Sequence, residues 1–369
     1  MVKIKILLIT ILLSVAVLIP MISVPDISAA AGNISLSGSV QMSFPNSITF
    51  NINAQSDSNI TQLRLHYVVD QQNYANVTSE GWAHFTPAKS VSTQWFWDMR
   101  KSGLPPDTHV DYWWTALDAA GNITQTALET LVFDDTRYNW QSITTDPVTI
   151  LWYSGTSAFA NDLMDYAQQG LQRIENDTGA IPQGHVNVYI YASTVDLQGA
   201  QLFAPQWEGG ATFAGYNVIA IGVSTSQLAF GERAVPHELT HWIVGQITFN
   251  DYGAGLPTWL SEGLATYGES TNLNPDYQNA LNSAIKNNQL LSIRSLSSPF
   301  SAIASVAYTS YGESNSIVTF MINQYGKDKM RSLLDAFQRG NTYDDALMQV
   351  YGFNQDGLDS VWRHSLGIS

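Results

Sequence analysis

The chain has no cysteine among its 369 residues. Disulfides, thiolate nucleophiles and cysteine-ligated metal sites are therefore excluded, and any bound metal must be held by histidine and carboxylate. Charge is scarce as well: 13% of residues are charged, with 16 bases against 31 acids. A net charge of −15 argues against nucleic acid or an anionic membrane surface as a partner. Histidine is sparse, at seven residues. Beyond the first residues, no apolar run is long enough to span a bilayer.

The start of the chain has its own pattern. Lys3 and Lys5 precede an apolar run from Ile6 to Val24, and Ala29-Ala30-Ala31 offers small residues for cleavage. That order predicts a signal peptide over residues 1–31, with an uncleaved membrane anchor as the alternative, and so a secreted or extracytoplasmic protein. Asn-x-Ser/Thr motifs at Asn33, Asn59, Asn76, Asn122 and Asn176 fit an exported surface.

The remaining residues exceed what one core usually supports, so two domains are expected. Residues 32–138 alternate with period two. Ile48, Phe50 and Ile52 form one such series, Leu63, Leu65 and Tyr67 a second, and Val110, Tyr112 and Trp114 a third. Turn clusters at Pro45-Asn46, Asp57-Ser58-Asn59, Pro105-Pro106-Asp107 and Gly121-Asn122 separate short antiparallel strands in this reading. An all-β sandwich follows, locally resembling immunoglobulin-like or fibronectin-type modules in "LPPDTHVDYWWTALDAAGN". From residue 139 to 369 the pattern is α+β. Phe159, Leu163, Tyr166, Leu171 and Ile174 share a helical face, Val186, Val188 and Ile190 alternate as a strand, and helical spacing dominates after about residue 226.

Two of the seven histidines stand four apart in "AVPHELTHWIV". On a helix, His237 and His241 lie on one face about 6 Å apart and can aim two imidazole nitrogens at one ion, a set that suits zinc. Glu238 would be the general base acting on the water such an ion activates. A catalytic site needs a third ligand, and Glu262 in "LPTWLSEGLATYGE", twenty-one residues after His241, is the candidate, with Pro257 suited to the first turn of its helix. Pro236 departs from the strictest form of the motif. It is harmless if the helix starts there and kinks the helix if it starts earlier. His66, His84, His109, His185 and His364 stand alone and read as structural.

"HELTH" followed by "WLSEGLATY" resembles the gluzincin zinc metallopeptidases, and more narrowly the peptidase MA-like domains of exported proteins. The likeness runs over residues 140–369, through "APQWEGGATFAGYNVIAI", "AYTSYGESNSIVTFMINQYG" and the C-terminal helices. It implies a thermolysin-like domain, one Zn²⁺ per chain on His237, His241 and Glu262, Glu238 as base, and hydrolysis of peptide bonds in a peptide or protein substrate. It also implies an oxyanion donor, for which Tyr311 is the first choice and Tyr308 the second, and a substrate strand at Gly209, Gly210 and Ala211. Where thermolysin-like enzymes carry an aspartate that orients a ligand histidine, this chain has Thr266, with Glu269 as the substitute. The competing function is a surface binding module. Its sandwich, through the tryptophans of "QWFWDM" and "DYWWT", contacts a polysaccharide or the cell envelope while the metal domain is degenerate. Hydrolysis of other amides or esters is a third reading.

Overall fold

The computed structural model describes residues 34–73, 75, 77–202 and 209–368. The expected signal peptide, the motifs at Asn33 and Asn76, and part of the "APQWEGG" segment lie outside the described residues.

The N-terminal region is a β-sandwich built on one long strand. β1 (Ser35–Ser43), β2 (Ser47–Val69), β3 (Ser79–Trp82), β4 (Ala88–Asp98), β5 (Thr108–Asp118), β6 (Ile123–Gln125) and β7 (Glu129–Phe133) are joined through β2 and β5. The first half of β2 pairs with β1 and β4, the second half with β3 and β5. Asp57-Ser58-Asn59, read above as a turn, lies inside β2. A register shift between Gln55 and Ile60 takes up the irregularity, bending the strand from one layer to the other without ending it. The inward residues of the two halves meet in one core: Phe50 of the first half packs edge-on against Tyr112 of β5, with ring centroids 5.0 Å apart.

β8 (Gln141–Thr145) and β9 (Val148–Trp152) open a second sheet, completed by β10 (Val186–Tyr191), β11 (Gly210–Phe213) and β12 (Val218–Gly222) in the order β11-β12-β10-β9-β8. β9, β10 and β12 are parallel, and the two edge strands run antiparallel to them. Between β9 and β10 lies α1 (Ser157–Thr178), capped by the Thr156 hydroxyl and ended at Gly179, which adopts a φ of 69°. A short α2 (Thr194–Gln198) follows β10. After the sheet the chain is helical, through α3 (Leu228–Thr248), α4 (Thr258–Glu269), α5 (Pro275–Lys286), α6 (Ile293–Leu296), α7 (Ala304–Tyr325), α8 (Lys327–Gln338), α9 (Tyr343–Tyr351) and α10 (Gln355–Ser365). No helix among the described residues is long and apolar enough to cross a membrane.

The sheet's two faces look to different neighbours. Val188, Ile190, Ile219 and Ile221 point into an aliphatic core shared with Leu163 of α1 and Leu239, Trp242 and Ile243 of α3. Tyr189, Tyr191, Val218 and Ala220 point the other way, into the core of the sandwich. There Trp140 stands edge-on to Tyr189 and Tyr191 at 5.0 and 5.2 Å. The hydroxyls of those tyrosines donate to Asp134 (2.9 Å) and Asp135 (3.0 Å) on the segment leaving β7. The alternation in "VNVYIY" thus fastens helices to one side and the sandwich to the other.

Candidate metal centre and catalytic site

α3 begins at Leu228, so Pro236 is interior to it. Its missing N–H costs the helix one hydrogen bond, and Gly170 of α1 packs directly against it: a Cβ on Gly170 would come within 2.4 Å of the Pro236 ring. Val235, Leu239, Trp242 and Ile243 bury one face of α3, which turns His237, Glu238 and His241 outward. Pro257 stands just ahead of α4 rather than in its first turn. Trp259, Leu260 and Leu264 anchor α4, and Gly263 lets it approach the backbone of α7, where any Cβ would lie 2.6 Å from the Ser314 carbonyl. Glu262 is left facing α3.

These elements bring the three expected ligand atoms together. His237 Nε2 is 3.2 Å from His241 Nε2 and 3.4 Å from Glu262 Oε2, and His241 Nε2 is 3.6 Å from the same oxygen. Tetrahedral ligands 2.0–2.1 Å from an ion stand about 3.3–3.4 Å apart, so the triangle matches one face of such a site. Glu262 Oε2 is buried and has no hydrogen-bond partner. The outer nitrogens are both engaged: His237 Nδ1 meets Glu269 Oε1 at 2.9 Å, and His241 Nδ1 meets Ser261 Oγ at 3.2 Å. Such contacts fix ring orientation and leave the Nε2 lone pairs for a cation. The group could hold a metal ion.

The electrostatics of these side chains are consistent with that. Burial disfavours the imidazolium of His237, but the neighbouring carboxylates of Glu262 and Glu269 outweigh it and raise its pKa well above the ordinary value. Burial also disfavours the Glu262 carboxylate, yet the two histidines beside it hold its pKa below the usual range. The anion is thus retained on a largely buried side chain.

Glu238 follows the first histidine and faces β11. The Thr212 hydroxyl lies 2.6 Å from its Oε2, and a Cβ on Gly210 would come within 2.7 Å of its Oε1, so a side chain there would displace the carboxylate from this position. Among the described residues, β11 is an edge strand paired with β12, with Gly210 opposite Ile221 and Ala211 opposite Ala220. Gly209 directly precedes it. No other strand among the described residues pairs with β11, and an edge of this kind can accept an extended chain. Tyr311, on α7, stands 6.5 Å from His237 between ring centroids, stacked on Tyr277 at 5.1 Å and met edge-on by Phe300 at 5.1 Å. Burial, then the negative charge of Glu262, raises its pKa far above the ordinary phenol value, so it keeps its proton as a donor. Tyr308 is 38% exposed and meets Tyr277 at 5.4 Å between ring centroids.

The residue that orients His237 is Glu269, two turns after Glu262, while Thr266 donates to the Glu262 carbonyl at 2.8 Å. Sequence reasoning missed Thr212, Ser261 and Tyr277. Ser261 adjoins Glu262 and was within reach of a helical-wheel argument; the other two come from distant elements and left no local signal. A separate cavity of about 560 Å³, between Asp70–Gln72 and the C-terminal end of α3, touches none of the site residues.

Comparison with known proteins gives one broad match. The family model described as the Peptidase MA superfamily matches residues 166–367. No curated protein matches the chain. Solved structures share only part of it. OgpA from Akkermansia muciniphila is 13% identical over 28% of this chain, at a TM-score of 0.23, and the chain spans 28% of OgpA's length. A carbohydrate-binding module family 56 β-1,3-glucan binding domain is 16% identical over 26% of this chain and 98% of its own, at 0.18. The sporulation control protein Spo0M from Bacillus subtilis is 6% identical over 37% of this chain and 54% of its own, at 0.20. Likenesses this slight carry no functional argument.

Proposed function

The chain belongs to the Peptidase MA superfamily, and on that premise we propose that it is an exported zinc-dependent metallopeptidase that cleaves peptide bonds. The observation that carries this reading is the triangle of His237, His241 and Glu262, with the Glu238 carboxylate beside it. Zinc suits the donor set, and when bound it would supply Lewis acidity and make a water molecule acidic enough to attack a carbonyl.

The chain's own residues do the rest. An extended peptide pairs with the open edge of β11, placing its scissile carbonyl near Glu238. Glu238, oriented by Thr212 and given space by Gly210, takes the proton from the attacking water and delivers it to the departing amine. The Tyr311 hydroxyl donates to the oxyanion that develops on the carbonyl. Glu269 and Ser261 hold the two imidazoles in register.

The test compares wild type with Glu238→Gln on a diverse peptide mixture, with bound zinc assayed in both. The expected result is stoichiometric zinc in each protein and a loss of roughly 10²–10⁴-fold in cleavage for the variant. Equal cleavage, or a wild type that binds no zinc, would overturn the reading.

One observation favours a second role for the sandwich. Trp95, Trp97 and Trp114 turn inward, but Trp82 is 50% exposed under the Arg64 guanidinium, and Trp113 stacks on His66 on the same outer face. This face would contact a cell-envelope polymer by ring stacking. Retention of wild type but not of Trp82→Ala on insoluble polysaccharide would support that role, and equal retention would end it.

A further inference from the structure

We propose that Tyr277 of α5 is a positioning residue, whose ring holds Tyr311 in the orientation from which the phenol donates to the oxyanion. This rests on the peptidase reading above and on Tyr311 as its donor. The two rings are stacked, 15° from parallel, with centroids 5.1 Å apart. Phe300 meets the Tyr311 ring from another direction, at 5.1 Å and an angle of 89°.

A tyrosine on a helix can occupy more than one χ1 well, and a change of well swings its hydroxyl away from its place. A donor that must first be ordered contributes less to the transition state than one already aimed. Rings packed on the face and edge of the phenol restrict that swing. Stacking acts through the ring, so the aromatic face of Tyr277 matters here and its hydroxyl does not.

Three features of the fold set Tyr277 against Tyr311. Gly312 follows Tyr311, and a Cβ there would lie 2.5 Å from the Tyr277 carbonyl oxygen, so α5 can approach α7 closely only at a residue without a side chain. The start of α5 is fixed by Pro275 in its first turn and by the Asn274 side-chain oxygen, which accepts the Asp276 N–H at 2.9 Å. Arg233, one turn before His237 on α3, donates to the Asn272 carbonyl at 3.2 Å and to Glu269 at 3.5 Å. The turn between α4 and α5 is thereby tied to the helix that carries the histidines. Tyr308, three residues before Tyr311, also packs on Tyr277, with centroids 5.4 Å apart. The second tyrosine of α7 thus supports the support.

The experiment measures kcat and KM on one cleaved peptide for wild type, Tyr277→Phe, Tyr277→Leu, Tyr311→Phe and the Tyr277→Leu/Tyr311→Phe double variant. Rates are taken per zinc-loaded protein, and melting temperatures and the Kd of a phosphonopeptide, a mimic of the tetrahedral intermediate, are measured alongside. Tyr311→Phe should lower kcat roughly 10²–10³-fold. Tyr277→Leu should lower it at least roughly tenfold with KM little changed, and weaken the phosphonopeptide by a similar factor. Tyr277→Phe should stay within about twofold of wild type. In the Tyr311→Phe background, Tyr277→Leu should add no further loss. The same loss in both backgrounds, an unchanged Tyr277→Leu, or a Tyr277→Phe as impaired as Tyr277→Leu would overturn the inference while leaving Tyr311 as donor. If Tyr311→Phe cleaves like wild type, the donor assignment and the inference both fall and the peptidase reading stands. A zinc-loaded wild type that makes no cuts would overturn all three.

Discussion

Acids lie on both sides of the five-stranded sheet, and Asp135 on one side is partnered quite differently from Glu262 and Glu313 on the other. On the sandwich side, Asp135 accepts two hydrogen bonds from the Arg137 guanidinium, at 2.6 and 2.8 Å, and one from the Tyr191 hydroxyl, at 3.0 Å. On the helix side, Glu262 has a buried oxygen with no hydrogen bond, and Glu313 accepts only the Leu291 N–H, at 3.1 Å. A buried acid with its bonds complete joins domains. One left incomplete is a place where the fold has accepted a cost, and at Glu262 a cation would offset it.

The sharpest probe of that contrast is Glu313. Burial raises its pKa to about 8, with Asp359 adding to the shift while the Leu291 N–H and Arg363 oppose it. A carboxyl whose folded pKa lies above its unfolded one favours the native state at low pH, and that contribution is lost as pH rises from the unfolded value through about 8. Urea melts should show stability falling across this window by as much as about 4 kcal/mol. Glu313→Gln should flatten the profile, and parallel curves for the two proteins would refute the assignment.

Breaking a completed pair should come next in size. Arg137→Met strips Asp135 of its cation and should cost about 3 kcal/mol in a denaturant melt, with zinc affinity unchanged. A cost below about 1 kcal/mol would mean that the pair is not the domain clamp. On the other side, Glu269→Gln should lower zinc affinity roughly 10–100-fold in a chelator competition, with a smaller loss in the metal-free melt from its broken pairs with His237 and Arg233. If the melt moved and the affinity did not, Glu269 would belong with the completed acids. Tyr191→Phe should have the smallest effect, about 1 kcal/mol, with peptide cleavage intact.

How much of this could be read in the sequence depended on the length scale of the signal. His237 and His241 were legible because a helix repeats every 3.6 residues, and Glu262 because a second apolar stripe placed it on its own helix. The resemblance ranked Tyr311 ahead of Tyr308 without a spatial reason. Tyr277 and Phe300 both pack on the ring of Tyr311, which also stands near His237. Alternation showed that Trp113 and Trp114 face opposite sides, but not which side was core. The polar run Asp57-Ser58-Asn59 carries turn chemistry, yet tertiary pairing keeps it within β2, because β4 and β5 secure the strand on both flanks.

That uninterrupted strand has a mechanical consequence. Because β2 is a member of both layers, neither layer can peel away and leave the other whole. A pull applied at the N-terminal end, where β1 is zipped along the first half of β2, is transmitted along one covalent spar to the strands packed nearest the second domain. The sandwich should therefore yield as a single unit at one force, not in two steps.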